Sequence, residues 1–262
     1  MSAEPRNPLQ VTWSVWRAIF LREALDRLFD MRAAWLWLLL EPVLHIAFIT
    51  FIFTVIRMRS VGGIDVATWI ITGMLAFFLY RRTAMQSMYA VQSNKPLFAY
   101  RQVHPFDTAF ARAVLEGFLM TIVAIFVLTG AALWGYDVWP EDVLQVGWAL
   151  LGLWLLGLGY GLITSVCMEL VPETEHVFKI LMMPLYLISG VVFPLSAVPP
   201  PYREWLMYNP IAHGLELVRH GFSPYYHMVP GVSAGYLYAW VVCSLFLGLL
   251  LYRRYTLELV MK

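Results

Sequence analysis

Two pairs of acidic and imidazole side chains interrupt otherwise apolar stretches of this 262-residue chain. Glu41 and His45 lie one helical turn apart, a spacing at which a carboxylate and an imidazole can share a proton or a metal ion. His213 and Glu216 offer a second such pair within 208-YNPIAHGLELVRHGF-222. Pairs of this kind in a membrane segment form a polar seam between helices more often than a catalytic centre. An intramembrane enzyme of envelope lipid metabolism is therefore one hypothesis among several.

Other chemistry finds little support in the sequence. Only three lysines are present and none follows a glycine, so no phosphate-binding Walker A loop can form. The two cysteines, Cys167 and Cys243, stand in apolar runs and indicate neither a disulfide framework nor a zinc site. We expect no catalytic residue, no metal and no bound cofactor in this chain. If it moves a solute uphill, the energy must come from another chain.

Composition places the chain in a membrane. It is 60% hydrophobic and 13% charged, with a mean hydropathy of +0.67, whereas soluble domains have about 25% charged residues. The formal net charge of +1 gives no indication of a nucleic-acid partner. Residues 1–32 are rich in charge and lack the apolar core of a cleaved signal peptide.

The hydropathy pattern predicts an all-α membrane protein with six transmembrane helices. A span needs about 20 apolar residues to cross about 30 Å of hydrocarbon. The predicted spans are about 33–56, 66–91, 106–134, 142–170, 179–197 and 233–252. They form one transmembrane domain, residues 33–262, preceded by a separate helical segment at 1–32.

The second predicted span contains charge. Its apolar run from Val66 to Tyr80 would rise only about 22 Å as a helix, so the helix must continue to about Val91. Arg81 and Arg82 then lie within the span, where a cation usually faces a partner or a wet cavity. They predict a cationic wall of a transport pathway that Glu41 and His45 also line. The alternative is that both arginines reach the inner headgroups.

The distribution of cations predicts that both termini are cytoplasmic. The outer side of the six-span arrangement receives only Arg57, Arg59, Arg203 and Arg219. The inner side receives the remainder of the 18 lysines and arginines: Arg6, Arg17, Arg22, Arg27, Arg32, Arg81, Arg82, Lys95, Arg101, Arg112, Lys179, Arg253, Arg254 and Lys262.

Two helical segments outside the spans are predicted. Residues 9–32 read as an amphipathic helix at the cytoplasmic membrane interface, with its charged arc turned away from its apolar face. Residues 198–222, broken at Asn209-Pro210, read as a re-entrant or surface-lying segment on the outer side. Glu216 and Arg219 are spaced to pair. Asn209, Pro210, Glu216 and Arg219 form either an outer gate or a static plug.

The cytoplasmic loop 92–105 is suited to a protein partner, with aromatic side chains between cations and prolines. Its candidate docking residues are Lys95, Pro96, Leu97, Phe98, Tyr100 and Arg101, and we expect Phe98 and Tyr100 to be exposed. A shorter loop on the same face adds Glu173, Glu175 and His176 as a secondary contact. The alternative is that the longer loop lies against lipid headgroups.

Several blocks of sequence resemble the ABC-2 family of exporter permeases, and within it the inner-membrane permeases of capsular polysaccharide export. The blocks are 20-FLRE-23, 40-LEPVLH-45, 97-LFAYRQVHPFDTAFARAVLE-116, 184-PLYLISGVVFPLSAVP-199 and 209-NPIAHGLELVR-219, and the resemblance extends over nearly the whole chain. Arg81-Arg82 is a departure, because small polar residues are expected there in this family.

The resemblance implies a homodimer with two ATPase subunits docked on the 92–105 loop, ATP and Mg being held by those subunits. It implies export of a lipid-linked, acidic polysaccharide across the bacterial inner membrane. It also implies a periplasmic adaptor of the polysaccharide co-polymerase type and an outer-membrane channel. An O-antigen or teichoic-acid exporter of the same family would look much the same.

Overall fold

The computed structural model describes residues 8–29, 33–56 and 60–261. Five cations that contribute to the predicted orientation, Arg6, Arg32, Arg57, Arg59 and Lys262, lie outside these described residues. In chain order the elements are α1 (Pro8–Phe29), α2 (Ala34–Val55), β1 (Ser60–Val61), β2 (Ile64–Asp65), α3 (Val66–Met88), α4 (Ala90–Asn94), α5 (Pro105–Leu133), α6 (Val143–Leu170), α7 (Thr174–Ile188), α8 (Tyr202–Leu206), α9 (Pro210–Phe222), α10 (Ala234–Arg254) and α11 (Thr256–Met261). Two 3₁₀ turns lie at Lys95–Ala99 and Leu195–Ala197.

Within the residues that the structure describes, four helices are long and apolar enough to cross a membrane: α2 from Leu36, α5, α6 and α10. Their bounds lie close to four of the predicted spans. The helix expected at 179–197 instead ends at Ile188, because Gly190 adopts a positive φ of 75° that stops it. With 15 residues, α7 rises only about 22 Å.

A short β-ribbon joins α2 to α3. Val61 pairs with Ile64 in antiparallel register, and Gly62 and Gly63 make the turn with φ of 59° and 96°. Asp65 then caps α3, its Oδ1 accepting a hydrogen bond from the Ala67 N–H at 2.8 Å. The cap fixes the start of the helix that carries Arg81 and Arg82.

The centre of the molecule is α3, which packs on α6, α5, α9 and α2. Its large side chains Trp69, Met74 and Phe77 are fully buried. On α6, a Cβ at Gly157 would lie 2.7 Å from the Tyr80 carbonyl oxygen, and one at Gly161 would collide with Ser87. Glycines four residues apart thus let two helix backbones approach closely, as membrane helices commonly do.

Candidate functional site

The segment between α3 and α5, predicted to dock a partner, has one buried side and one exposed side. Phe98 is buried at 8% exposure, in a cluster with Val91, Ala109 and Val166. The expectation that Phe98 is exposed is therefore wrong: its aromatic ring is used to attach the 3₁₀ turn to α5 and α6. Lys95 is also engaged, pairing with the Glu169 carboxylate at 3.1 Å.

Of the predicted docking residues, Pro96, Tyr100 and Arg101 are exposed, while Leu97 is half-buried. Tyr100 is 67% exposed, which is high for an aromatic side chain. After it, His104 and Asp107 form a capping box that starts α5, and the His104 N–H donates to Asp107 Oδ2 at 2.8 Å. The exposed residues thus lie on a turn held rigidly at both ends.

The second segment that is predicted to contact a partner begins α7. Glu175 accepts hydrogen bonds from Lys179 Nζ at 2.6 Å and from the Tyr89 hydroxyl at 3.0 Å, which ties α7 to the end of α3. Glu173 and His176 are exposed. Of the three predicted secondary contacts, these two have exposed side chains.

An ionic network fastens α1 to the transmembrane helices. Arg27 pairs with Glu116 of α5, which also binds Arg82 of α3 at 3.1 Å. Glu23 binds Arg112 of α5 at 2.9 Å and accepts from Asn94 of α4 at 2.8 Å. The network joins four elements next to the predicted docking segment.

Because of this network, the orientation of α1 differs from the one predicted from its sequence. Burial by itself raises the pKa of the Glu23 carboxyl, but the hydrogen bond and charge of Arg112, with help from Asn94 and Arg27, hold that pKa below its ordinary value. Part of the predicted charged arc therefore faces protein, while apolar Trp13, Leu21, Leu25 and Phe29 of α1 are exposed. The sequence pattern indicated for Glu116 at most a polar seam between helices, although Glu23 and Glu116 each stand at the end of a block that carries the family resemblance.

A polar cavity of about 270 Å³ lies between α2 and α3. Its lining includes all four predicted pathway residues, Glu41, His45, Arg81 and Arg82. The two arginines differ: Arg82 is half-buried and bound to Glu116, whereas Arg81 is exposed. The structure therefore brings the predicted pathway residues together and separates the roles of the two arginines.

On the opposite side of the molecule, the predicted pair of Glu216 and Arg219 is present, with Arg219 Nη1 3.2 Å from Glu216 Oε1. Both side chains are buried at or below 1% exposure. Arg219 also donates to the Gly190 carbonyl oxygen at 2.9 Å, and Glu216 accepts from the Tyr226 hydroxyl at 2.8 Å. The pair is an internal connection between α9 and its neighbours.

Asn209 and Pro210 begin α9. The Asn209 side chain accepts from the Ile211 N–H at 3.0 Å and donates to Ser189 Oγ at 2.8 Å, and Pro210 occupies the first turn, where no N–H is needed. The Asn-Pro step is thus a helix start, with the short helix α8 before it.

Residues 231–235 carry the Gly-x-Ser-x-Gly spacing of a hydrolase nucleophile elbow, with His213 close by. Ser233 instead caps α10, and both ring nitrogens of His213 contact backbone: Nε2 the Met207 carbonyl oxygen at 2.7 Å, and Nδ1 the Ser233 N–H at 3.0 Å. His213 and Glu216 thus have separate partners and form no acid–base pair. In the described part of the chain, no group of three or more His, Cys, Asp or Glu residues is placed to hold a metal ion.

Comparison with known proteins identifies relatives over nearly the whole length. A family model described as ABC-2 type transporter matches residues 14–223. The polysialic acid transport protein KpsM of Escherichia coli is 36% identical over 252 residues, which cover 95% of this chain and 96% of that protein. The capsule polysaccharide export inner-membrane protein CtrC of Neisseria meningitidis serogroup A is 27% identical over 209 residues, 78% of this chain and 77% of that protein. Its counterpart BexB of Haemophilus influenzae is 25% identical over 253 residues, 96% and 94% respectively.

Proposed function

Because the chain belongs to the ABC-2 type transporter family, we propose that it is the transmembrane permease subunit of an ATP-driven exporter of capsular polysaccharide. The substrate is a lipid-linked, acidic polymer, moved across the bacterial inner membrane. The observation that carries this proposal is the similarity to capsule-export permeases of three bacterial genera, which covers between 78% and 96% of this chain. The exposed docking residues Tyr100 and Arg101, and the polar cavity between α2 and α3, support it.

The working unit contains two copies of this chain. Each copy crosses the membrane six times, through α2, α3, α5, α6, α7 and α10, with both termini in the cytoplasm. The network around Glu116 supports an α1 that lies at the inner interface, since it fastens α1 to the cytoplasmic ends of α3 and α5. The exposed apolar side of α1 then faces lipid.

Two ATPase subunits, which bind ATP and Mg, dock on the cytoplasmic face. Exposed Tyr100 and Arg101 provide an aromatic and a cationic anchor of the kind that dominates protein interfaces. Glu173 and His176 make the secondary contact. Lys95 and Phe98 act indirectly, by holding the docking turn against α5 and α6.

The substrate moves past the mouth of the cavity that Arg81, Arg82, Glu41 and His45 line. It leaves near α8 and α9 on the periplasmic side. There α8 and α9 form the re-entrant segment that caps the exit and meets a periplasmic adaptor, which leads to an outer-membrane channel. Arg219 is paired with Glu216 and hydrogen-bonded to backbone at Trp69 and Gly190, which supports a static cap held against α3 rather than a moving gate.

The test is to inactivate the gene in its native host and to measure polysaccharide inside and outside the cell. We expect polymer trapped in the cytoplasm and a bare surface, restored by the wild-type gene in trans. A normal capsule with loss of another surface glycan would assign the chain to an O-antigen type exporter. An altered lipid profile without trapped polymer would refute the exporter and favour the intramembrane enzyme.

A further inference from the structure

The cavity between α2 and α3 has the wrong size for a polymer and the right character for one charged group. Its volume of about 270 Å³ lies below the roughly 300–1,000 Å³ of pockets that enclose drug-sized ligands. Arg81, His45 and Gln86 line it beside the carboxylate of Glu41, with Phe78 and Met85 as apolar walls. A single anionic group attached to a larger molecule fits this description.

Arg81 is the cation that the fold leaves for such a group. The neighbouring Arg82 donates to Glu116 at 3.1 Å and to the Leu38 carbonyl oxygen at 3.4 Å. Over residues 8–29, 33–56 and 60–261, no ion pair within 4.0 Å involves Arg81. The charge of Arg82 is thus paired within the structure, whereas Arg81 is exposed at the cavity.

The surroundings of the cavity carry surplus positive charge. Four arginines share three carboxylates here, namely Arg27, Arg81, Arg82 and Arg112 with Glu23, Glu41 and Glu116. Arg81 stands seven residues before the end of α3 at Met88, about 10 Å along the helix. An arginine at that depth costs free energy in a membrane unless an anion or water accompanies it.

We propose that Arg81 is the centre of an oxyanion subsite, which binds a phosphate or carboxylate of the exported glycolipid as it enters from the inner leaflet. His45 and Gln86 flank the anion, while the charge of Arg82, which also lines the cavity, is paired with Glu116. The subsite rests on the proposed export function, but it is tested separately below.

The experiment uses the permease in complex with its ATPase, in phosphatidylcholine nanodiscs, with a photo-crosslinking amino acid in place of Met85. Two labelled probes separate the sources of the anion: dioleoyl phosphatidic acid supplies a phosphate on a lipid, and a soluble sialic acid oligomer supplies carboxylates without a lipid. We expect at least one probe to label position 85. Arg81→Gln should lower that labelling about tenfold, since it removes a charge-assisted hydrogen bond. Arg81→Lys should restore part of it.

The matched control places the same crosslinker at Phe126, which lines an apolar cavity between α2 and α5. Labelling there should not change with Arg81→Gln. Phosphatidic acid alone at position 85 assigns the subsite to the lipid phosphate, and the oligomer alone assigns it to the polymer. Labelling by neither probe, or labelling that Arg81→Gln leaves unchanged, overturns the subsite. If gene inactivation traps polymer while these tests fail, the subsite is wrong and the export function stands. If labelling depends on Arg81 but gene inactivation traps no polymer, the subsite stands and the export function is wrong.

Discussion

Arg219 is a charged residue that is fully buried in this fold. Its guanidinium carbon lies 3.8 Å from the centre of the Trp69 ring, and its nitrogens donate to carbonyl oxygens of Trp69, Gly190 and Val191. With Glu216 as counter-ion, the buried charge is paired and hydrogen-bonded, as a buried ion must be. Such a side chain cannot move without loss of several contacts.

Gly73→Ala tests this rigidity. A Cβ at Gly73 would collide with the Arg219 guanidinium, so we expect the substitution to destabilise the fold by about 1–3 kcal/mol, as overpacking does. Thermal unfolding of the purified protein in detergent measures the effect. Gly130→Ala is the matched control, since nothing lies within 4 Å of a Cβ there, and helix propensity predicts a gain of up to about 1 kcal/mol. A Gly73→Ala protein as stable as wild type would show that Arg219 is not locked.

At the scale of elements, the turn between α4 and α5 combines an internal anchor with an external surface. Phe98 and Lys95 attach the turn to α5 and α6, and Tyr100 and Arg101 remain exposed. The turn also lies next to α1, because Asn94 contacts both Arg22 and Glu23. Force applied to this turn would therefore reach α1, α5 and α6 together.

Two variants separate docking from folding in this turn. Tyr100→Ala with Arg101→Ala should reduce co-purification of the ATPase and leave the unfolding temperature unchanged, because both side chains are exposed. Phe98→Ala should lower stability by about 3 kcal/mol or more, since it leaves a cavity in the cluster. Full retention of the ATPase by the double variant would remove the docking role of this surface.

At the scale of the whole molecule, the proposed orientation places the ionic network around Glu116 on the cytoplasmic side. It places the buried pair of Glu216 and Arg219 on the periplasmic side. The two lie at opposite ends of the helix bundle, since Glu116 binds Arg82 late in α3 and Arg219 binds Trp69 at its start. Between them, α3 and α6 are packed closely through Gly157 and Gly161. One pair of closely packed helices therefore connects the two ends of the bundle.

Cysteine labelling tests the orientation. In a variant with Cys167→Ala and Cys243→Ala, we expect Tyr225→Cys to react with a membrane-impermeant maleimide in intact spheroplasts, because that position is exposed on the proposed outer side. Gln102→Cys, on the inner turn, should react only after permeabilisation. The reverse pattern would invert the topology.

What the sequence determined by itself was the periodic and compositional part of the protein: its membrane class, the approximate bounds of most helices, and the family, which local blocks of residues carry. Hydropathy over 20 residues is a local property, so it can be read from the sequence without knowledge of the fold. The i, i+3 pairing of Glu216 with Arg219 was predictable for the same reason.

Only the tertiary structure decided which polar residues are used internally. Arg81 and Arg82 look alike in sequence, but adjacent residues on a helix point about 100° apart. Both line the cavity, yet Arg82 is paired with Glu116 of α5, whereas Arg81 forms no ion pair with any described residue. Phe98 was expected at the surface and is buried, because α5 and α6 converge on the turn from distant parts of the chain. The contacts of Glu23 with α4 and α5 span about 70 to 90 residues in sequence, and no local pattern encodes such distances.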